Sequence, residues 1–229
     1  MKNDNLEIQN NKYFLDLERN FGEYGSWALW SENKDGSIAE IITKPNFQSL
    51  IKPSIIFLGL NASIKLPNNW INFHSECQKF KKKKWNQEFI KNLADLIMDE
   101  EFSVLRGSYM TDIIKDINFP ESSKVVREVK NNPEILSQSK EIFGKELGLL
   151  SKISLIDKFQ IICMGRDTFE ILCLAWDIPV EKRILNKMRF VSTKKDNSSF
   201  DVLESYHYAY RRKENVKQDL REIIEKITK

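Results

Sequence analysis

The sequence predicts an α/β fold, a three-layer α/β/α sandwich with a mostly parallel central sheet of about four strands. Short apolar runs rich in strand-forming residues occur at 55–58, 108–114 and 159–164. Each run is too short for a buried helix and is typical of a parallel strand that is covered on both faces. Longer stretches with apolar residues at helical spacing lie between the runs, and this alternation favours strands joined by crossover helices.

Length and composition indicate a single domain that spans residues 1–229. A chain of 229 residues with 41% apolar and 30% charged residues can bury a full core. The three cysteines form no C-x-x-C pair, which argues against a disulfide framework and against a four-thiolate zinc or iron–sulfur site. The sequence contains no hydrophobic signal region and no apolar run of membrane-spanning length, so we expect a cytoplasmic protein without a membrane partner.

The first 50 residues are expected to form a helical and aromatic extension packed on this domain. Apolar residues at positions 14, 17 and 21 recur at helical spacing. Tyr24, Trp27 and Trp30 follow, and such aromatics belong to a core, or to a lid over it, more often than to a ligand platform. A short helix at 45–50 then precedes the first buried strand.

The strand at 55–58 leads into the segment around which we place the candidate site. Gly59 ends the strand, and a polar loop follows. This loop carries Asn61, Ser63, Trp70, Phe73 and His74. Because α/β proteins bind ligands at the carboxyl ends of their strands, these side chains are candidates for binding or catalysis.

A cluster of five lysines follows this loop, within residues 79–84. Such a cluster is most often a solvated face, but beside a site loop it can also contact phosphate, and both interpretations stay open. The net charge is only +3, so any nucleic-acid footprint has to come from local clustering of this kind. Apolar residues recur at helical spacing from Trp85 to Ile97 and predict an amphipathic helix.

The second buried strand, at 108–114, contains a carboxylate near its end. Asp112 stands there, and a buried strand end is a costly place for a charge unless the charge is paired or functional. Pro133 predicts the start of a helix that continues to Leu150.

The last part of the chain repeats the pattern of strand, glycine and helix. The run at 159–164 ends at Gly165, and Asp167 with Glu170 has the spacing of a capping box for the next helix. A strand at 188–191, a polar loop at 194–199 and a closing helix at 215–227 complete the prediction.

The second of the two histidines, His207, lies between the last strand and the closing helix. It is surrounded by tyrosines, and Arg211 and Arg212 follow. A lone histidine in a loop is usually structural, but the neighbouring stacking and phosphate-binding side chains keep a functional role open.

Three short segments together resemble the motifs of the uracil-DNA glycosylase superfamily, over most of the chain from about Ile55 onwards. Residues 59–63, Gly-Leu-Asn-Ala-Ser, are similar to its first motif, Gly-x-Asn-Pro-Gly/Ser. Residues 109–112, Tyr-Met-Thr-Asp, resemble the strand whose last residue contacts the flipped base. His207-Tyr208-Ala209 stands where the family has His-Pro-Ser.

The resemblance implies a monofunctional DNA glycosylase that flips a base and hydrolyses its N-glycosidic bond to leave an abasic site. It implies that Asn61 positions the attacking water and that neutral His207 donates to a carbonyl oxygen of the base. Phe73 or Trp70 would stack on the extruded base, and Tyr208 or Tyr210 would fill the gap in the duplex. The other residues expected at the base are Asp112, Gly59, Leu60, His74 and Tyr109, and those expected at phosphates are Ser63, Arg211, Arg212, Lys81 and Lys82. The family resemblance also suits a monomer without metal or cofactor, with double- or single-stranded DNA as its partner.

The sequence departs from the family pattern at positions that bear on specificity. Ala62 replaces the family proline, and Tyr208-Ala209 replace Pro-Ser. Asp112 stands where an asparagine would accept from uracil N3–H and donate to O4. A carboxyl can instead accept from the cytosine amine and, when protonated, donate to N3. The departure therefore predicts a modified or damaged cytosine-type base, and a role in defence against phages with hypermodified DNA is compatible with this prediction.

Two alternatives stay open. The first is a conventional uracil-DNA glycosylase of base excision repair, with a protonated or displaced Asp112. The second is a non-catalytic module that binds nucleic acid or a nucleotide at the same sheet edge. A nucleotide hydrolase is disfavoured because the sequence contains no P-loop, no G-x-G-x-x-G motif and no acidic metal cluster.

Overall fold

The computed structural model describes residues 2–32, 38–40, 47–62, 92–180, 188–195, 198–207 and 213–228. The fold is α/β, with a mostly parallel central sheet of six strands and helices on both of its faces. The α/β class and the mostly parallel sheet are thus confirmed. The expected number of about four strands is wrong, because two antiparallel strands flank the four parallel ones.

The elements follow in an alternating order along the chain. The helices are α1 (Lys2–Phe21), α2 (Ser122–Asn131), α3 (Pro133–Ser154), α4 (Arg166–Ala175) and α5 (Lys213–Ile227), with a helical segment at 92–98 and 3₁₀ turns at Phe47–Leu50 and Glu100–Leu105. The strands are β1 (Ser26–Trp27), β2 (Trp30–Glu32), β3 (Ile38–Glu40), β4 (Lys52–Asn61), β5 (Ser108–Ile114), β6 (Lys158–Met164), β7 (Phe190–Lys195) and β8 (Ser198–Ser205).

The strand order places four carboxyl ends side by side. The sheet has the order β1-β5-β4-β6-β8-β7, and β2 pairs with β3 in a separate hairpin. β5, β4, β6 and β8 are mutually parallel, whereas β1 and β7 pair antiparallel at the two borders. The residues that end or follow the four central strands therefore meet at one edge of the sheet.

Both faces of the sheet are covered, which explains the continuous apolar runs of the central strands. Phe57 pairs with Met110 and with Ile162, and these residues pack with the helical segment 92–98 and with α5. Leu58 pairs with Cys163 and lies on the opposite face, in a cluster with α1, α3 and α4. Trp27 and Trp30 are buried, so the expectation that these aromatics belong to the core is confirmed.

The helix boundaries agree with the sequence in one case and differ in another. α3 begins at Pro133, whose missing N–H is not needed in the first turn, as predicted. The capping box at α4 is wrong, because the helix begins at Arg166 and its N-cap is Gly165, without a side-chain cap. Glu170 accepts instead from Nε of Arg166 at 2.8 Å.

Three other predicted elements have different bounds. The expected strand at 188–191 is the longer β7, and the loop expected at 194–199 belongs largely to the β7–β8 hairpin. The helix expected from Trp85 is described only over 92–98, and the helix at 45–50 is a 3₁₀ turn at Phe47–Leu50; the remaining residues of both lie outside the described ranges. Among the described residues, no helix has the length and apolar character needed to span a bilayer.

Candidate functional site

The carboxyl edge of the sheet brings together residues from four strands. Asn61 is the last residue of β4, and Asp112 lies on the neighbouring strand β5. Gly165 follows β6, and His207 comes two residues after the end of β8. Because hydrogen-bonded strands lie about 4.8 Å apart, the strands of Asn61 and His207 are separated by roughly 10 Å, with β6 between them.

The carboxyl of Asp112 lies on the sheet face that α5 covers, two residues in from the edge. Gly59 pairs with Asp112, and a Cβ at Gly59 would overlap Oδ1 of Asp112. Because Gly59 has no side chain, the space next to it is open to the carboxyl of Asp112. Asp112 is buried, and burial raises its pKa from 3.8 to about 7, with Lys115 lowering and Glu146 raising it. Both protonation states are therefore populated at neutral pH.

A buried ion pair lies next to Asp112, on the other side of β5. Nζ of Lys115 is 2.8 Å from Oε2 of Glu146, and both side chains are fully buried. Lys115 also donates to the main-chain oxygen of Asp112 at 2.8 Å and to Oγ1 of Thr111 at 2.7 Å. A buried ammonium is stable only when its N–H groups have acceptors, so breaking any of these bonds is costly. The bonds therefore hold the strand that carries Asp112 in place.

Tyr109 is part of this network and is not at the edge. Its hydroxyl donates to Oε1 of Glu146 at 2.6 Å, and its ring is fully buried against Trp27. The prediction that Tyr109 contacts the base is therefore corrected: it lies three residues back along β5 and faces away from Asp112. Leu60 likewise packs against the cluster on the face opposite to Asp112.

The side-chain amide of Asn61 is held in one orientation by backbone acceptors. Its Nδ2 donates to the carbonyl oxygens of Ala62 at 3.1 Å, Ile117 at 3.0 Å and Phe119 at 2.9 Å. Three carbonyl acceptors around one atom identify that atom as the amide nitrogen, since an oxygen cannot donate. The Oδ1 atom, on the other side of the amide, is the acceptor that this side chain can offer to a ligand.

The loop after β5 contacts the side chain of Asn61 through its backbone carbonyl groups. Asn118 donates to the carbonyl oxygen of Ala62 at 3.0 Å and so reinforces the contact between this loop and the end of β4. Phe119 is 37% exposed although its backbone is bonded to Asn61. An exposed aromatic ring in this loop can stack on a planar ligand.

His207 lies beside the end of β6. A Cβ at Gly165 would be 3.7 Å from Cβ of His207, and the amide of Gly165 donates to the carbonyl oxygen of Ser205 at 2.8 Å. His207 is exposed by its surface area, yet desolvation by the surrounding protein lowers its pKa from 6.5 to about 4. The imidazole is therefore neutral at pH 7.

Several residues predicted for the site lie outside the described ranges. They are Ser63, Trp70, Phe73, His74, Lys81, Lys82, Tyr208, Tyr210, Arg211 and Arg212. The described part of the site thus consists of Asn61, Asp112 and His207, with Gly59 and Gly165 between them in the sheet.

Sequence analysis missed Phe119, Lys115 and Glu146. Phe119 follows a buried strand within a polar segment, and that position is a signal that could have identified it. The ion pair between Lys115 and Glu146, by contrast, joins a strand end to a helix 31 positions later in the chain. No local sequence pattern predicts such a contact.

Comparisons with known proteins assign no family to this arrangement: no family model matches the chain, and no curated protein matches it. Within the described residues, no group of three or more His, Cys, Asp or Glu side chains is placed to hold a metal ion.

Proposed function

We propose that the protein is a monofunctional DNA glycosylase with a fold like that of the uracil-DNA glycosylases, acting as a monomer on a modified or damaged cytosine-type base. The single observation that carries this proposal is the position of Asp112. A buried carboxyl that is half-protonated near pH 7 lies at the same sheet edge as an oriented amide, Asn61, and a neutral imidazole, His207.

Each of the three groups has a part in breaking the N-glycosidic bond. Protonated Asp112 donates to N3 of the base, and electrons of the C1′–N1 bond move to N1, so that the base leaves as a neutral tautomer. Neutral His207 donates to the carbonyl oxygen of the base, where negative charge develops. Oδ1 of Asn61 orients a water that bonds to C1′, and the proton that this water loses returns to Asp112 through solvent.

Protonation explains why cytosine suits Asp112. Cytosine is a poor leaving group while its ring stays unprotonated, and a carboxyl with a pKa near 7 supplies the proton at physiological pH. Excision of ordinary cytosine would destroy the host genome, so the substrate is a modified or damaged form. A role in defence against hypermodified phage DNA is compatible with that choice of substrate.

The same carboxyl supports a second candidate, a conventional uracil-DNA glycosylase. When protonated, Asp112 can donate to O4 of uracil while its other oxygen accepts from N3–H. The raised pKa of Asp112 makes this form available at neutral pH. Uracil release would then fall above pH 7, as the carboxyl ionises.

The test is a base panel with variants of the three residues. Oligonucleotides containing uracil, cytosine, 5-hydroxymethylcytosine or glucosylated 5-hydroxymethylcytosine are incubated with the protein, and abasic sites are detected by alkaline cleavage. Release of a modified cytosine that His207→Ala lowers by about 100-fold or more supports the proposal. Asn20→Ala, which removes an exposed amide on α1, is the control and should retain full activity.

The outcomes separate the candidates. Asp112→Asn should lose the activity on modified cytosine and retain or gain activity on uracil. An amide can accept from N3–H of uracil and donate to its O4. Release of uracil alone by the unaltered protein would replace the first candidate with the second. DNA binding without release of any base, unchanged in His207→Ala, would identify a non-catalytic nucleic-acid-binding module.

A further inference from the structure

The closing helix α5 holds the backbone directly before His207. Oδ2 of Asp219, in the second turn of α5, accepts from the main-chain N–H of Tyr206 at 2.7 Å. The hydroxyl of Ser205, the last residue of β8, donates to the carbonyl oxygen of Tyr206 at 3.2 Å. Asp219 of α5 thus bonds directly to the residue that connects β8 to His207.

The same segment is held from the side of β6 by a second contact. The N–H of Gly165 donates to the carbonyl oxygen of Ser205 at 2.8 Å, next to Cβ of His207. Gly165 has φ of 101°, a conformation that residues with a side chain rarely adopt. The strand end before His207 is therefore held between the backbone N–H of Gly165 and the carboxylate of Asp219.

We propose that Asp219 is a positioning residue, which aims the imidazole of His207 by fixing the main chain of residues 205–206. This inference rests on the proposed function, in which His207 donates to the departing base. A base-binding imidazole must be placed within a fraction of an ångström, because misplacement of about 1 Å can lower the rate of an enzyme about 100-fold.

The charges around Asp219 make this positioning depend on pH. Burial is the main cause that raises the pKa of Asp219 from 3.8 to about 6; the charges of Glu222 on α5 and Glu204 on β8 add to this rise, and the hydrogen bond from the N–H of Tyr206 opposes it. Above pH 6 the ionised carboxylate accepts from the N–H of Tyr206 with its full acceptor capacity. Below pH 6 its added proton removes part of this acceptor capacity, so we expect the hold on the backbone to weaken.

The experiment combines NMR with kinetics on the full chain. In ¹⁵N-labelled protein, the Tyr206 amide proton should shift with an apparent pKa near 6, and Asp219→Asn should abolish this titration while it keeps an acceptor for the N–H. Asp219→Ala should displace the His207 ring resonances and lower kcat about 10- to 100-fold with little change in KM. Glu222→Gln is the control, because it removes a neighbouring carboxylate that does not bond Tyr206.

Kinetics supply the sign of the effect. Asp219→Asn, which like the protonated carboxyl offers a single acceptor oxygen, should show at every pH the lower rate that the unaltered protein shows only below pH 6. A Tyr206 amide that does not titrate, or His207 resonances that are the same in Asp219→Ala, would overturn the inference. Because NMR needs no turnover, failure of the unaltered protein to release any base would reject the glycosylase proposal alone, and a titrating Tyr206 amide would still support the positioning of His207.

Discussion

The carboxyl of Asp112 owes its properties to three neighbours that act in different directions. Burial raises its pKa, the ammonium of Lys115 opposes the rise, and the carboxylate of Glu146 adds to it. Gly59 leaves the space that the carboxyl occupies. The position of this carboxyl near the carboxyl edge of the sheet thus depends on the absence of a side chain one strand away.

The raised pKa of Asp112 has a measurable consequence for stability. The folded state holds the proton of this carboxyl more tightly than the unfolded state does. As the pH rises from 3.8 to about 7, the free energy of unfolding therefore falls, because the charged carboxyl is disfavoured inside the protein. At pH 8 the cost of the buried charge amounts to about 4 kcal/mol. Asp112→Asn should therefore be more stable than the unaltered protein at pH 8, and this advantage should shrink towards pH 5.

Urea denaturation at the two pH values measures this difference. Asp116→Asn, which removes an exposed carboxylate four positions further on, is the control for the loss of one negative charge. An equal effect of Asp112→Asn on the free energy of unfolding at pH 5 and at pH 8 would contradict the prediction.

At the scale of elements, β5 and α3 are joined by charge inside the core. Glu146 of α3 accepts from Tyr109 and Thr111 of β5 and pairs with Lys115 just beyond it. Removing one partner leaves the other charge buried and unpaired, which costs more than the pair itself contributes. Glu146→Gln should lower the free energy of unfolding by about 3 to 5 kcal/mol.

The surface of α3 provides a matched control for this pair. Glu141 and Lys145 form an ion pair on the same helix, with side chains 67% and 66% exposed. Glu141→Gln should cost less than about 1 kcal/mol, because solvent screens exposed pairs. Adding Lys115→Met to Glu146→Gln should recover part of the lost stability. A double variant as unstable as Glu146→Gln would show that the unpaired ammonium is not the cause.

The same elements show which parts of the fold a sequence can predict. β5 and β6 are buried on both faces, so their apolar runs were recognised, and α5 was found from its helical spacing. β8 was missed because polar Asp201 and Glu204 interrupt its apolar residues; both are buried through ion pairs with Lys158 and Arg189. Partners that lie far apart along the chain make these carboxylates compatible with a strand.

The candidate site was predictable to a similar degree. Asn61 and Asp112 were predicted because polar residues next to apolar runs mark strand ends, and parallel strands bring those ends to one edge. His207 was predicted from its aromatic and basic neighbours and from the family motif. Tyr109 was misassigned because its face could not be determined without Glu146, its hydrogen-bond partner on α3. Asp219 was missed because its contact with Tyr206 involves a backbone N–H, which has no sequence signature.

At the scale of the whole molecule, charge bears on how DNA would be bound. With 36 basic and 33 acidic side chains, the protein has a net charge of only +3, so affinity has to come from clustered cations. Lys81→Ala with Lys82→Ala should reduce the slope of log K against log salt by up to about 2, since each phosphate contact contributes about 0.9 on duplex DNA.

Fluorescence anisotropy with a labelled duplex at 50 to 200 mM salt measures the slope. Lys145→Ala, which removes an exposed lysine on α3, is the control and should leave the slope unchanged. An identical slope in the double variant and the unaltered protein would assign the lysine cluster to the solvated surface instead.

The overlap between a Cβ at position 59 and the carboxyl at position 112 also constrains how this protein can diverge. A methyl group gained at 59 would have to be matched by a shorter residue at 112, which would remove the proton donor of the proposed reaction. Among natural variants the two positions should therefore change together. A chain with alanine at position 59 should have a shorter residue at position 112 and should lack this proton donor.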